Sequence, residues 1–258
     1  MNKRFLTIFN EAPSNEEKAR LIAVSSEHSS DYLYALPLAS LGLKLDDQSL
    51  RISCALRLGS LICHHHKCVC GNNVDSSGRH GLSCKLQAGR HRSHSTLNDI
   101  VQRALSSAGY PSKLEPTGLS RKDGKRPDGL SLFPFKLGKC LIWDSTIVDT
   151  LASSYVDQPA RHPGKAAEKA ELKKMDQYQE LEKEYLFVPI AIETLGSWGQ
   201  AGLKLVKELG RMIKEKSGET RSTQFLFQRC SMAVQRGNSA SVLGTVSSSR
   251  QLDEVFYL

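Results

Sequence analysis

Apolar residues recur along the chain with two different periods, and the switch between them sets out the elements. Over residues 14–26 the period is helical: Ser14 stands at a capping position with Glu17 three residues on, and Leu21, Ile22 and Val24 form an apolar face. Leu36-Pro37-Leu38 interrupts it, and the helical period resumes over 46–58 with Leu50, Ile52, Ala55, Leu56 and Leu58. A longer helix is expected from His94, where Leu97, Ile100, Val101, Ala104, Leu105 and Ala108 form a core-facing stripe that Gly109 and Pro111 stop. Residues 112–115 fit a short strand. Residues 124–150 read as two strands, with Leu130, Leu132 and Phe133 in the first and Cys140-Leu141-Ile142-Trp143, ending at Asp144, in the second. Pro134 and residues 136–139 are expected to make the turn between them. The helical period returns near Gly164, with Ala167, Ala170, Met175, Tyr178 and Leu181 on one face. Residues 186–192 read as a buried strand with Glu193 at its end. The next helix uses Leu203, Val206, Leu209, Met212 and Ile213 and stops at Gly218, and a last one is expected over about 223–236.

This order predicts an α/β fold, a small mixed sheet flanked by helices. Four parts are expected: a helical lead-in (1–60), a Cys/His-rich module (61–92), the α/β core (93–236) and a mobile, serine-rich tail (237–258). The 258 residues suffice to bury a sizeable core, and 40% hydrophobic with 24% charged residues is ordinary for a globular protein. No apolar run approaches the length of a membrane span, and the apolar patch near the N-terminus ends too early for a signal peptide. The expected setting is intracellular, nuclear or cytoplasmic, with thiols reduced.

Cysteine placement sharpens the picture. Of the seven cysteines, Cys68, Cys70 and Cys84 join His80 in a C-x-C-x9-H-x3-C set, with Gly-Asn-Asn and Ser-Ser-Gly turns between the halves. Three thiolates and one imidazole make a tetrahedral Zn²⁺ shell. Because the C-x-C step is tight, Cys63 or His66 could replace one ligand; the alternative is a set of free thiols and solvated histidines.

The formal charge is +8, unevenly spread: residues 85–126 hold nine Lys or Arg against three Asp or Glu. Arg90, Arg92, Arg121, Lys122, Lys125 and Arg126 are therefore candidate contacts for a nucleic-acid phosphate backbone, though the same run also fits a solvated basic loop.

Two acids follow this tract. Asp128 comes after Arg126-Pro127 at the mouth of the first strand, and Asp144 stands directly after Leu-Ile-Trp. A carboxylate so close to a core needs a partner, and a divalent cation serves. Pro-Asp-Gly is also a common turn, and a strand-end aspartate also caps. Glu115 fits an accessory ligand or an exposed edge carboxylate. In the helix after Gly164, spacing at 100° per residue puts Lys174 and Glu171 in the middle of the apolar face. Such a lysine needs an anion, either Glu171 or a phosphate held by the aspartates.

Pro127-Asp128 followed by Asp144-Ser145-Thr146 resembles the motif of the PD-(D/E)xK restriction-like nucleases, with Thr146 at the lysine position. More closely, residues 60–215 resemble the restriction-like endonuclease at the C-terminal end of non-LTR retrotransposon polyproteins. There a zinc knuckle precedes an Arg/Lys-Pro-Asp motif and a second acid; here these are Cys68, Cys70, His80 and Cys84, then Arg126-Pro127-Asp128, then Asp144. The likeness implies a restriction-endonuclease-like core and a metal-dependent endonuclease that nicks target DNA for a retroelement. It also implies Mg²⁺ or Mn²⁺ on Asp128 and Asp144, Zn²⁺ on the knuckle, and Lys174 supplying the lysine from the following helix. DNA is the implied partner, with retroelement RNA or a reverse-transcriptase domain as further ones. Nothing in the sequence reads as the paired-aspartate motif of a reverse transcriptase, so the chain is expected to be the end of such a polyprotein, with 1–60 as linker. The alternative is a zinc-stabilised nucleic-acid-binding module whose nuclease core has decayed; a protein-interaction domain with neither activity is a third reading.

Overall fold

A four-stranded mixed sheet lies at the centre of the computed structural model, which describes residues 3–87, 89–119, 124–152, 162–247 and 251–257. A two-stranded ribbon of β1 (His66–Lys67) and β2 (Asn73–Val74) belongs to the Cys/His-rich module. The main sheet runs in the order β3 (Ser112–Leu114), β4 (Gly129–Lys136), β5 (Lys139–Val148) and β6 (Leu186–Glu193). The first three pair antiparallel, and β6 lies parallel to β5.

The β4–β5 turn is tighter than the sequence reading placed it. Only Leu137 (φ 51°) and Gly138 (φ 71°) turn, the left-handed pair of a two-residue hairpin loop. Pro134 sits inside β4, where the register with β5 is irregular, so its missing N–H breaks no regular ladder. A second correction concerns β5, which does not end at Asp144. It continues through Thr146, Ile147 and Val148 because β6 pairs with it along its length, placing Asp144 opposite Pro189 in mid-strand.

Alternation along β5 sends Leu141 and Trp143 to one face and Ile142 and Asp144 to the other. On the first face, α5 (Gly89–Ala108), α7 (Gln200–Ser217) and α8 (Ser222–Leu243) enclose a core that includes Leu97, Leu105, Trp143, Ile190, Leu209 and Phe227. On the second, α6 (Lys165–Tyr178) sets Tyr178 against Ile142 and Phe187. Both faces of β5 and β6 are thus covered, which is why these strands read as near-continuous apolar runs.

Helix α5 begins at Gly89, earlier than His94, so the boundary expected at residue 92 falls within it. The lead-in contains α1 (Lys3–Glu11), α2 (Asn15–Val24) and α3 (Asp47–Leu58). Ser14 caps α2 by accepting from the Glu17 N–H, and Asp46 caps α3 by accepting from that of Ser49. A second core joins Ala23, Ile52 and Leu56 of the lead-in to Ile62, Cys68 and Cys84, and to Val242, Val246 and Phe256 near the C-terminus.

The expected mobile tail needs correction as well. Helix α8 runs on to Leu243, with Gly237, Asn238, Ser239, Ser241 and Val242 buried. Small residues there permit close helix packing: a Cβ added at Gly237 would stand 2.3 Å from Ser93 Oγ, and one at Gly81 2.7 Å from the Ser241 carbonyl oxygen. Among the described residues no helix is long and apolar enough to cross a membrane.

Candidate metal centres

The chain segment entering β4 holds Asp128 in place from both sides. Its N–H donates to the Trp143 carbonyl at 2.9 Å, and its own carbonyl accepts from the Glu115 N–H at 2.8 Å. The following Gly129 is required by packing, since a Cβ there would stand 2.0 Å from the Trp143 ring. The Asp128 carboxylate accepts from the Ser145 N–H at 2.7 Å and from His94 Nε2 at 2.9 Å. One residue along β5 from Trp143, Asp144 faces α6, where Lys174 Nζ is 2.7 Å from its Oδ1 and the Tyr178 hydroxyl 2.7 Å from its Oδ2. That hydroxyl also lies 2.9 Å from the Arg126 carbonyl oxygen.

Asp128, Asp144 and Lys174, separated by up to 46 positions in the sequence, therefore meet at one end of the β4–β5 pair. The ligand atoms of His94, Asp128 and Asp144 all lie within 4.8 Å of one another. Glu115 is not among them; its carboxylate is exposed and pairs with Arg126.

The two carboxylates titrate apart. Burial and then the charge of Asp128 push Asp144 above the usual carboxylate range, against the pull of Lys174 and Tyr178. Burial acts on Asp128 too, but the hydrogen bond and charge of His94, the Ser145 N–H and the Asn98 amide together hold it below its ordinary value. The hydrogen bond to Asp128 in turn raises His94, which burial opposes. The site therefore carries two facing acids, Asp144 against the Lys174 ammonium and Asp128 against the His94 imidazole.

Glu171 does not pair with Lys174. It is buried and turns away to cap α7, accepting from the N–H groups of Ala201 at 3.0 Å and Gly202 at 2.9 Å. Of the two residues that the helical period placed on the buried face, one thus serves structure and the other meets Asp144.

His94, Asn98 and Tyr178 were not foreseen as parts of this site. Asn98 Oδ1 accepts from Trp143 Nε1 at 3.1 Å and from Ser145 Oγ at 2.7 Å, tying α5 to the strand that carries Asp144. A signal was present, because His94 continues the stripe of Leu97, Val101 and Leu105 one turn further and Asn98 stands within it, both polar.

The second centre gathers Cys68, Cys70, His80 and Cys84, whose ligand atoms also lie within 4.8 Å of one another. Cys68 Sγ and Cys84 Sγ are 3.9 Å apart, close to the roughly 3.8 Å that a tetrahedron with Zn–S bonds of about 2.3 Å requires. Cys70 Sγ is 3.2 Å from His80 Nε2. The arrangement is compatible with zinc. The Asn72 N–H on Cys70 sulfur, with the side chains of Cys68, His80 and Cys84, lowers that thiol to about 6. Burial instead pushes the Cys68 thiol up to about 11, although the Cys70 N–H points at it. Neither proposed substitute takes part: Cys63 Sγ donates to the Asp75 carbonyl, and His66 has its two ring nitrogens against the His64 carbonyl and Thr245 Oγ1.

The basic candidates are dispersed. Arg90 and Arg92 are exposed on the first turn of α5, Arg90 donating to the Leu82 carbonyl at 2.9 Å. Lys125 and Arg126 are exposed on the segment that leads to Asp128. Arg121 and Lys122 lie outside the described residues.

Compared with known proteins, the chain matches no family model and no curated protein.

Proposed function

We propose that the chain is a divalent-metal-dependent DNA endonuclease with a restriction-like core, nicking target DNA for a retroelement, and that the Cys/His centre is a zinc knuckle. The observation that carries this reading is the convergence of Asp128, just before β4, with Asp144 of β5 and Lys174 of α6 in one cluster. The mixed sheet with α5 and α6 on opposite faces is compatible with such a core.

The residues present fit a divalent ion. Two carboxylates face each other, and part of the upward displacement of Asp144 comes from the charge of Asp128, which an intervening cation removes. When bound, that ion supplies Lewis acidity toward the scissile phosphate and a water acidic enough to attack it. Asp128 and Asp144 would hold it, with Tyr178 and the Ser145 N–H fixing the orientation of their carboxylates. Lys174 stands beside Asp144 as a fixed cation for the charge that develops on the phosphate oxygens. Thr146 takes the motif position where the lysine is usual, and Lys174 compensates from α6. Exposed Arg90, Arg92, Lys125 and Arg126 would bind the DNA backbone with strong salt dependence.

The decayed-core alternative keeps its own support in the Lys174–Asp144 and His94–Asp128 contacts, which already satisfy both acids. Incubation with supercoiled plasmid in Mg²⁺ and in Mn²⁺ separates the two. Conversion to nicked circles that a chelator stops supports the nuclease. Plasmid retained by the protein but left intact in both metals favours the binding module.

A further inference from the structure

We infer that His94 is a third, nitrogen ligand of the ion held by Asp128 and Asp144, and that it makes the site select Mn²⁺ over Mg²⁺. The inference rests on the reading of those two acids as a divalent-ion site and specifies which ion it takes.

Geometry comes first. His94 Nε2 stands 2.9 Å from Asp128 Oδ2, and an arriving ion would take the place of the proton this nitrogen now donates to that oxygen, the proton leaving to solvent. In an octahedral shell with bonds of about 2.1 Å, neighbouring ligand atoms stand about 3 Å apart, so this spacing suits two adjacent positions on one ion. Asp144 supplies the third donor within 4.8 Å of both. The helix that carries the imidazole is anchored beside it. One turn along α5, Asn98 is fixed to Trp143 and Ser145, and Leu97 and Val101 are buried in the core. The His94 side chain is 36% exposed, so the ring borders solvent.

Donor chemistry then decides the ion. A purely carboxylate pocket suits Mg²⁺, whereas an imidazole nitrogen suits first-row transition ions, and Mn²⁺ accepts both donor types. Replacing a hard oxygen by nitrogen at one of three protein positions costs Mg²⁺ more than Mn²⁺.

The test is pulsed electron paramagnetic resonance on the full chain loaded with Mn²⁺, with Mg²⁺ competition followed on the same samples. Wild type should show nitrogen hyperfine modulation, and displacement of Mn²⁺ should need at least about a tenfold excess of Mg²⁺. In His94→Gln, which keeps a hydrogen-bond donor toward Asp128, the modulation should vanish and the preference should fall roughly tenfold. Thermal melting checks that both variants used here remain folded. Mn²⁺ bound in a manner that Asp128→Asn abolishes, but with no nitrogen modulation sensitive to His94→Gln, overturns the inference and leaves the nuclease reading standing. Mn²⁺ binding that Asp128→Asn leaves untouched overturns the acidic site itself, and the inference with it.

Discussion

Buried acids carry much of this molecule's design, and they find their partners in two ways. Asp144 is 5% exposed and leans on Lys174 and Tyr178, whereas Glu171 and Glu193 are used as caps for helices that start nearby. Glu193, fully buried at the end of β6, accepts from the N–H groups of Ala166 at 3.0 Å and Ala167 at 3.3 Å in the first turn of α6. Its other oxygen, Oε2, has no hydrogen-bond partner among the described residues. Burial, helped by the charge of Asp149 and opposed by those N–H groups and Thr150, pushes its pKa up to about 7 from the ordinary 4.5. Between those two values the folded chain keeps a proton that the unfolded chain has lost. Stability linked to Glu193 is therefore full below pH 4.5 and declines as the pH rises to 7, by about 3 kcal/mol at roughly 1.4 kcal/mol per unit. Urea denaturation of Glu193→Gln across this window should show a decline smaller by about that amount; an unchanged decline would assign it to other groups. How much of this was legible in the sequence depended on period. The 100° spacing singled out Glu171 and Lys174, yet no spacing rule says which element lies opposite, so the cap on α7 and the contact with Asp144 emerge only in three dimensions. Tyr178 was legible as an apolar-face residue, and its hydroxyl's reach to Asp144 was not.

At the scale of elements, strands and helices were legible where apolar periodicity was strong, and their ends were misread where side chains were small or polar. Residues 145–148 (STIV) were not recognised as strand because their pairing with β6 is remote in sequence. The serine-rich end of α8 carried the composition of a mobile tail, but small size there serves a close approach of α8 to the short helix α4 (His80–Ser83) and to α5. Gly237→Val tests this contact directly. The added side chain meets Ser93 Oγ and the Gly89 carbonyl, so stability should fall by about 1–3 kcal/mol in a denaturant titration. A neutral result would mean that the two helices do not pack as described.

Over the whole molecule, the four parts suggested by composition are joined by a shared core. Cys68 and Cys84 are buried in the same cluster as Ile52 and Leu56 of the lead-in and Val242 of α8, so a metal at the Cys/His centre supports more than its own loop. Stripping it with a chelator should lower the melting temperature and speed amide hydrogen exchange in α3 and the end of α8 as well as in residues 66–84. Loss of protection confined to 66–84 would make the module a separate unit. The acidic site sits apart from that cluster in role, between the sheet and helices α5 and α6, and its chemistry gives the clearest trial of the account. Supercoiled plasmid should be nicked by the wild type in Mn²⁺ or Mg²⁺, and Asp128→Asn and Asp144→Asn should each fall to background while still retaining DNA. Nicking by both variants at the wild-type rate would contradict the account.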